Sequence, residues 1–135
     1  MARISGLGVD TVRSSRFRRF LTKGKQGVID RLFDAEEQAY ALSKADPAPH
    51  LAVRFAAKEA FLKALGMGLR SGMSWLEIGV RRDALGCPFL VLKGRAAEEF
   101  LNRGGGTIHL SCTHDGDYAL ATVILESFDG DRVSV

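Results

Sequence analysis

The chain has 135 residues, of which 46% are hydrophobic and 26% charged, and its formal net charge is +3. That length fits one compact domain spanning residues 1–135, able to bury roughly two thirds of its unfolded surface without disulfides or a structural metal. No stretch approaches the roughly 18 apolar residues of a membrane span, and MARISGLGVD lacks a signal-peptide core, so a cytoplasmic protein without membrane association is expected.

Modest positive charge suits an acidic partner, a phosphorylated ligand or nucleic acid. One tryptophan and two tyrosines offer few stacking platforms, which disfavours nucleic acid. With only two cysteines, Cys87 and Cys112, free thiols are expected rather than a disulfide.

Residues 3–10 read as a first strand whose glycines permit close backbone approach, ending at Asp10. A short helix follows over 14–21, then a loop over 22–27. Basic residues are densest here: Arg13, Arg16, Arg18, Arg19, Lys23 and Lys25, with Phe17, Phe20 and Leu21 between them. They form either a solvated helix face or a partner-binding one.

Asp34 and Glu37 have the spacing of an N-cap with its reciprocal partner, opening a helix to about Ser43. The two prolines of ADPAPH, residues 45–50, predict a connecting turn. A long helix is expected from Leu51 to Leu65, stopped by Gly66, with Gly66, Gly68 and Gly72 in the loop beyond. Leu76, Ile78 and Val80 alternate with polar or small residues as in a strand, and residues 83–86 turn the chain into 88–92, giving a hairpin. A helix over 95–103 ends at Gly104 to Gly106, before strands 107–113 and 118–126 joined by a turn at 114–117. Helices and strands mix without strict alternation, so the expected class is α+β, a mainly antiparallel sheet packed with a long central helix.

Chemistry concentrates in RFAAKEAFLKALGMG, residues 54–68. Lys58 projects into the middle of the apolar stripe of Leu51, Phe55, Leu62 and Leu65, where a bare ammonium is costly. It must snorkel outward, pair with an anion or meet a ligand. Glu59 and Lys63 share one helix face, which alone reads as a surface ion pair, but small Ala52 and Ala56 beside them leave room for something to approach. Asp10 is either a turn cap or a second carboxylate. Two converging carboxylates near lysine and histidine are what a Mg²⁺-dependent phosphoryl reaction needs. His114 sits at a strand end, and Cys112-x-His114 without a second pair makes a weak zinc site. Ser111, lacking a glycine-flanked turn, is a poor hydrolase nucleophile.

Three stretches, GLGVDTVRSSR, RFAAKEAFLKALGMG and HLSCTHDGDYALATV, resemble in order and spacing the signature segments of holo-acyl-carrier-protein synthases, which are 4′-phosphopantetheinyl transferases. The resemblance covers nearly the whole chain. It implies an enzyme that moves 4′-phosphopantetheine from coenzyme A to a serine of apo acyl carrier protein, with Mg²⁺ on Asp10 and Glu59. It further implies that Lys63 serves the leaving phosphate and His114 the pyrophosphate. Arg54, Lys58, Lys63, Gly66, Gly68 and His114 are implied around coenzyme A, Arg16, Arg18 and Arg19 in docking the carrier, and a homotrimer with sites at subunit boundaries. Cys87, Asp34 and Cys112 depart from the family's usual lysine, threonine or serine, and apolar residue. Two rivals follow from the residues alone: a binding module using its basic helix, and a metal-dependent phosphoesterase.

Overall fold

A computed structural model describes residues 1–69 and 72–128. Strand β1 (Ala2–Arg13) leads into α1 (Ser14–Thr22), α2 (Gln26–Leu32), α3 (Ala35–Leu42) and the long helix α4 (Pro47–Leu65). A short 3-10 turn (Trp75–Glu77) precedes β2 (Ile78–Arg82) and β3 (Pro88–Leu92), followed by α5 (Gly94–Asn102), β4 (Thr107–Asp115) and β5 (Tyr118–Phe128). The sheets are antiparallel throughout: β1-β5-β4 form one and the β2-β3 hairpin the other. The class is therefore α+β, as expected.

Helix α4 is the centre of the molecule. Thirteen of its residues are buried, Arg54 and Lys58 among them, so it is covered on nearly every side, unlike a surface helix. Its small residues decide how closely it approaches the sheet. A Cβ at Gly8 would overlap Ala60 O and one at Gly6 would overlap Ala64 O, so the glycines of β1 let the helix backbone lie directly on the strand. Ala52 and Ala56 continue that alanine stripe and are fully buried. The approaching partner is thus protein.

Four expectations are corrected by the backbone. Strand β1 does not stop at Asp10 but pairs with β5 as far as Arg13 opposite Tyr118, which places Asp10 within the ladder and removes its turn-capping role. Helix α4 begins at Pro47, a full turn before Leu51. Proline at the first helical position loses no intrahelical bond, and its fixed φ suits the helix, so the ADPAPH segment starts the helix instead of blocking it. Helix α2 was not expected; it has no side-chain N-cap to announce it and is held by burial of Ile29 and Leu32. Around Trp75 and Leu76 the chain forms a 3-10 turn capped by Ser74 rather than a strand.

Elsewhere local chemistry and structure agree. Asp34 accepts from the Glu37 amide while Glu37 Oε1 accepts from the Asp34 amide, both at 2.9 Å, which completes the capping box. Gly66 ends α4 at φ 78°, a left-handed conformation that glycine adopts without a Cβ penalty. Cys87 and Cys112 are free. Among the described residues no helix is long and apolar enough to cross a membrane.

Candidate active site

The close contact between β1 and α4 brings Asp10, Glu59 and Lys63 together. Lys63 donates to Asp10 Oδ1 at 2.9 Å and to Val9 O at 3.2 Å. The i,i+4 pair expected between Glu59 and Lys63 is thus replaced by a pair between helix and strand. Burial first, and then the Asp10 charge, raise the Glu59 carboxyl above its ordinary range, against the pull of Lys63 and Arg16. Its bond to Asp10 raises the Lys63 ammonium in turn. Arg16 of α1 therefore stands within electrostatic reach of Glu59, and its guanidinium lies 5.4 Å from the centre of the Phe55 ring.

Two carboxylates fit Mg²⁺ in one particular way. Magnesium is usually held by one or two protein carboxylates together with substrate phosphates, and seldom by an all-protein cage. Among the described residues no group of three or more His, Cys, Asp and Glu side chains is placed to hold a metal. The Asp10 and Glu59 pair matches the first arrangement and needs phosphate oxygens to complete it.

Lys58 lies elsewhere, and its placement corrects the expectation that it contacts coenzyme A. Fully buried, its ammonium donates to Glu37 Oε1 at 2.8 Å, Leu32 O at 2.8 Å and Trp75 O at 3.1 Å. All three donors are used, leaving none for a ligand. Burial lowers its proton affinity, and the Glu37 carboxylate opposes that shift without cancelling it. Glu37 Oε2 accepts from the Val80 amide at 2.8 Å, so one buried ion pair ties α4 to α3, to the end of α2, and to both the 3-10 turn and β2. Of the three alternatives the sequence left open, pairing with an anion is realised.

Arg54 and His114 meet on the opposite flank of α4. In the sheet Asp10, Ala121 and Cys112 are cross-strand partners, and Val12, Ala119 and His114 form the next row on the same face. Two strand spacings, about 10 Å, therefore separate the Asp10 row position from the β4 edge, with α4 lying over the gap. There a cleft of about 370 Å³ is lined by Tyr40, His50, Arg54, Arg82 and His114, among others. Arg54 is buried, donates to His50 O at 3.0 Å and stacks over Tyr40 at 4.2 Å. Within one chain the carboxylates and the cationic cleft are thus separate.

His50, Tyr40 and Arg82 were missed in the sequence. His50 precedes Arg54 by four residues, a spacing that puts both on one helix face, but the signal exists only if residues 47–50 are helical. Reading the two prolines as a turn concealed it. Gly66 and Gly68 lie just beyond α4, and a Cβ at either would meet nothing within 4 Å, so the segment offers open backbone. Arg16, Arg18 and Arg19 are exposed on α1, with Arg18 donating to Asp46 at 2.7 Å.

Comparison with known proteins agrees with this architecture. The family model of the 4′-phosphopantetheinyl transferase superfamily matches residues 6–123. A holo-[acyl-carrier-protein] synthase of Syntrophotalea carbinolica is 59% identical over 126 residues, 93% of this chain and 98% of the relative. Among solved structures, the holo-[acyl-carrier-protein] synthase of Neisseria meningitidis superposes with a TM-score of 0.78 at 37% identity, covering 90% of this chain and 98% of that one. The Bacillus anthracis holo-(acyl-carrier-protein) synthase, solved in complex with CoA (3′,5′-ADP), gives a TM-score of 0.75 at 32% identity, covering 93% and 98%. The chain belongs to the 4′-phosphopantetheinyl transferase superfamily.

Proposed function

We propose that this chain, acting as one domain over residues 1–135, transfers 4′-phosphopantetheine from coenzyme A to a serine of apo acyl carrier protein and releases adenosine 3′,5′-bisphosphate. The observation that carries this reading is the Asp10, Glu59 and Lys63 cluster, built where β1 glycines admit α4, in a chain that matches holo-acyl-carrier-protein synthases along nearly their whole length.

Asp10 and Glu59 would hold Mg²⁺, which when bound supplies charge neutralisation and electrophilic activation at the pyrophosphate of coenzyme A. The carrier serine forms a new oxygen–phosphorus bond to the β-phosphorus as the bond from that phosphorus to the bridging oxygen breaks. Glu59, or a water held by the metal, would take the serine proton. Lys63, which spends two of its three donors on Asp10 and Val9, offsets charge on the departing phosphate. Arg54 and His114 would receive anionic parts of the nucleotide in the cationic cleft, and the Gly66 and Gly68 backbone, beyond the other end of α4, would lie against another part of coenzyme A. Exposed Arg16, Arg18 and Arg19 would draw in an acidic carrier, with Arg16 placing that surface beside Glu59.

Separation of the carboxylates from the cleft within one chain supports a homotrimer whose sites form between subunits. The outer face of the three-stranded sheet supports it too: Ile4, Leu7 and Val9 are 61%, 66% and 50% exposed, an apolar strip of the kind that marks an association surface. The setting is cytoplasmic, in fatty acid or polyketide biosynthesis.

Intact-mass spectrometry of an apo carrier incubated with the protein, coenzyme A and Mg²⁺ tests the reaction. A chelator-sensitive gain of one phosphopantetheinyl group is expected. No gain on several apo carriers, with folded protein and metal present, would leave a binding module or another phosphoryl chemistry. Light scattering during gel filtration tests the trimer.

A further inference from the structure

The cleft at the start of α4 concentrates positive charge: Arg54, Arg82, His50 and His114 line it, and no aspartate or glutamate does among the described residues. Arg54 is only 3% exposed and its Nε has no hydrogen-bond partner, an orphan donor of the kind that costs free energy unless a ligand completes it. His50 occupies the middle of this arrangement. Its ring lies 5.8 Å from Tyr40 and 6.0 Å from His114, both edge-on. Charged and titratable groups surround it from every neighbouring element: Tyr40 and Lys44 at α3, Arg54 on its own helix, Arg82 on β2, Cys112 and His114 on β4.

We infer that His50 is a proton-accepting phosphate ligand: when a phosphomonoester dianion enters the cleft, His50 takes a proton from solvent and binds the anion as imidazolium. This rests on the reading that coenzyme A is the substrate. In the empty cleft, burial first and then the charges of Arg54, His114, Lys44 and Arg82 hold the imidazole below its ordinary range, so it is neutral near pH 7. A dianion reverses the local potential and favours the charged ring. Coenzyme A carries a single phosphomonoester, on its ribose, so the proton uptake distinguishes it from a nucleotide that has only the pyrophosphate. By linkage, whatever binding does to the His50 proton, the proton does to binding; affinity for coenzyme A falls as pH rises through the midpoint of the bound His50.

Side-chain NMR of the three histidines, with His50→Gln assigning the His50 signal, tests this in the full chain. Saturating coenzyme A is expected to raise the His50 titration midpoint by about one unit or more, while 3′-dephospho-coenzyme A leaves it in place. His109, on the other face of the sheet and 2.9 Å from Glu126, serves as the unchanged reference. In the wild type, coenzyme A affinity should weaken up to about tenfold more between pH 5 and 8.5 than in His50→Gln, because a one-unit shift is expressed in full only across both the free and the bound midpoint. A His50 midpoint that is the same with and without coenzyme A would overturn the inference, as would an equal rise with the dephosphorylated ligand. If coenzyme A bound nowhere on the folded protein, the proposed function itself would fall and this inference with it.

Discussion

Lys58 Nζ donates to Glu37 Oε1 across 2.8 Å with both side chains fully buried, and the residue after Lys58 is Glu59. One face of the same turn of α4 is therefore anchored to α3 while the next residue presents a carboxylate toward β1. Truncating either partner leaves a charge buried without its counter-ion. Lys58→Met and Glu37→Gln should each cost about 3–5 kcal/mol of stability, and the two together should cost much less than their sum. Denaturant unfolding of the single and double variants measures this. Additive losses would mean that the pair does not act as a unit.

The contact between Gly8 and Ala60 gives a second prediction. A methyl group at residue 8 would overlap the Ala60 carbonyl, and backbone cannot give way as a flexible side chain can. Gly8→Ala should destabilise the fold by about 1–3 kcal/mol, the range for overpacking, and should lower transfer activity further than the unfolded fraction explains. Movement of α4 off β1 separates Glu59 and Lys63 from Asp10. By contrast, Gly27→Ala, where nothing lies within 4 Å, should leave activity near that of the wild type.

These two contacts also show what was legible in the sequence. The Asp34 and Glu37 box was readable because capping is local: four residues carry both hydrogen bonds. The grouping of Asp10 with Glu59 and Lys63 was suggested by residue type and by family resemblance, since nothing between residues 10 and 59 fixes how a strand meets a helix. That contact depends on alanines and glycines whose message is the absence of side chain, which periodicity does not register. Lys58 could not be assigned because its partner is 21 residues away on another helix, and either an ion pair or a ligand would satisfy a lysine in an apolar stripe. His50 was lost to the reading of Pro47 and Pro49 as a break, although proline is well suited to a first helical turn.

The two cysteines should differ in reactivity. Cys87 is exposed, whereas burial pushes the Cys112 thiol up to about 11, against the weaker opposing pull of Arg54 and Arg82. A raised thiol pKa leaves less thiolate at neutral pH, so at pH 7.5 iodoacetamide should modify Cys87 first and Cys112 slowly. Between pH 7 and 10 the Cys112 rate should climb about tenfold per unit, because the thiolate fraction does so below the midpoint. Peptide mass spectrometry over time distinguishes the two sites. Since Cys112 lines the cationic cleft, adenosine 3′,5′-bisphosphate, which has no thiol to consume the reagent, should slow its labelling and leave Cys87 unaffected.

Glu59→Gln keeps the shape of the side chain and removes its charge and proton affinity, so turnover should fall about 100-fold or more while the unfolding transition stays close to the wild type. Asp10→Asn should lose activity comparably, with an additional sign of its own: the Lys63 ammonium, whose proton affinity is raised by the Asp10 bond, should titrate at a lower pH in the variant. Lysine NMR reads that change without any substrate. Unchanged turnover in Glu59→Gln would remove Glu59 from the reaction, and an unmoved Lys63 in Asp10→Asn would show that the 2.9 Å pair does not govern the ammonium.

Carrier docking separates from coenzyme A binding through the arginines of α1. Arg18 is committed to Asp46 across an exposed 2.7 Å pair, of a kind worth about 0–1 kcal/mol, so a carrier's carboxylates can displace Asp46 at little cost. Arg16 lies over Phe55 and close enough to Glu59 to influence its carboxyl. Arg16→Ala with Arg18→Ala should therefore raise the KM for carrier several-fold more than that for coenzyme A. The wild-type advantage should also shrink with added salt, as screening removes long-range attraction first. Steady-state kinetics with each substrate varied in turn, at low and high ionic strength, makes the comparison. Equal effects on both KM values would mean that α1 supports the coenzyme A site and does not receive the carrier.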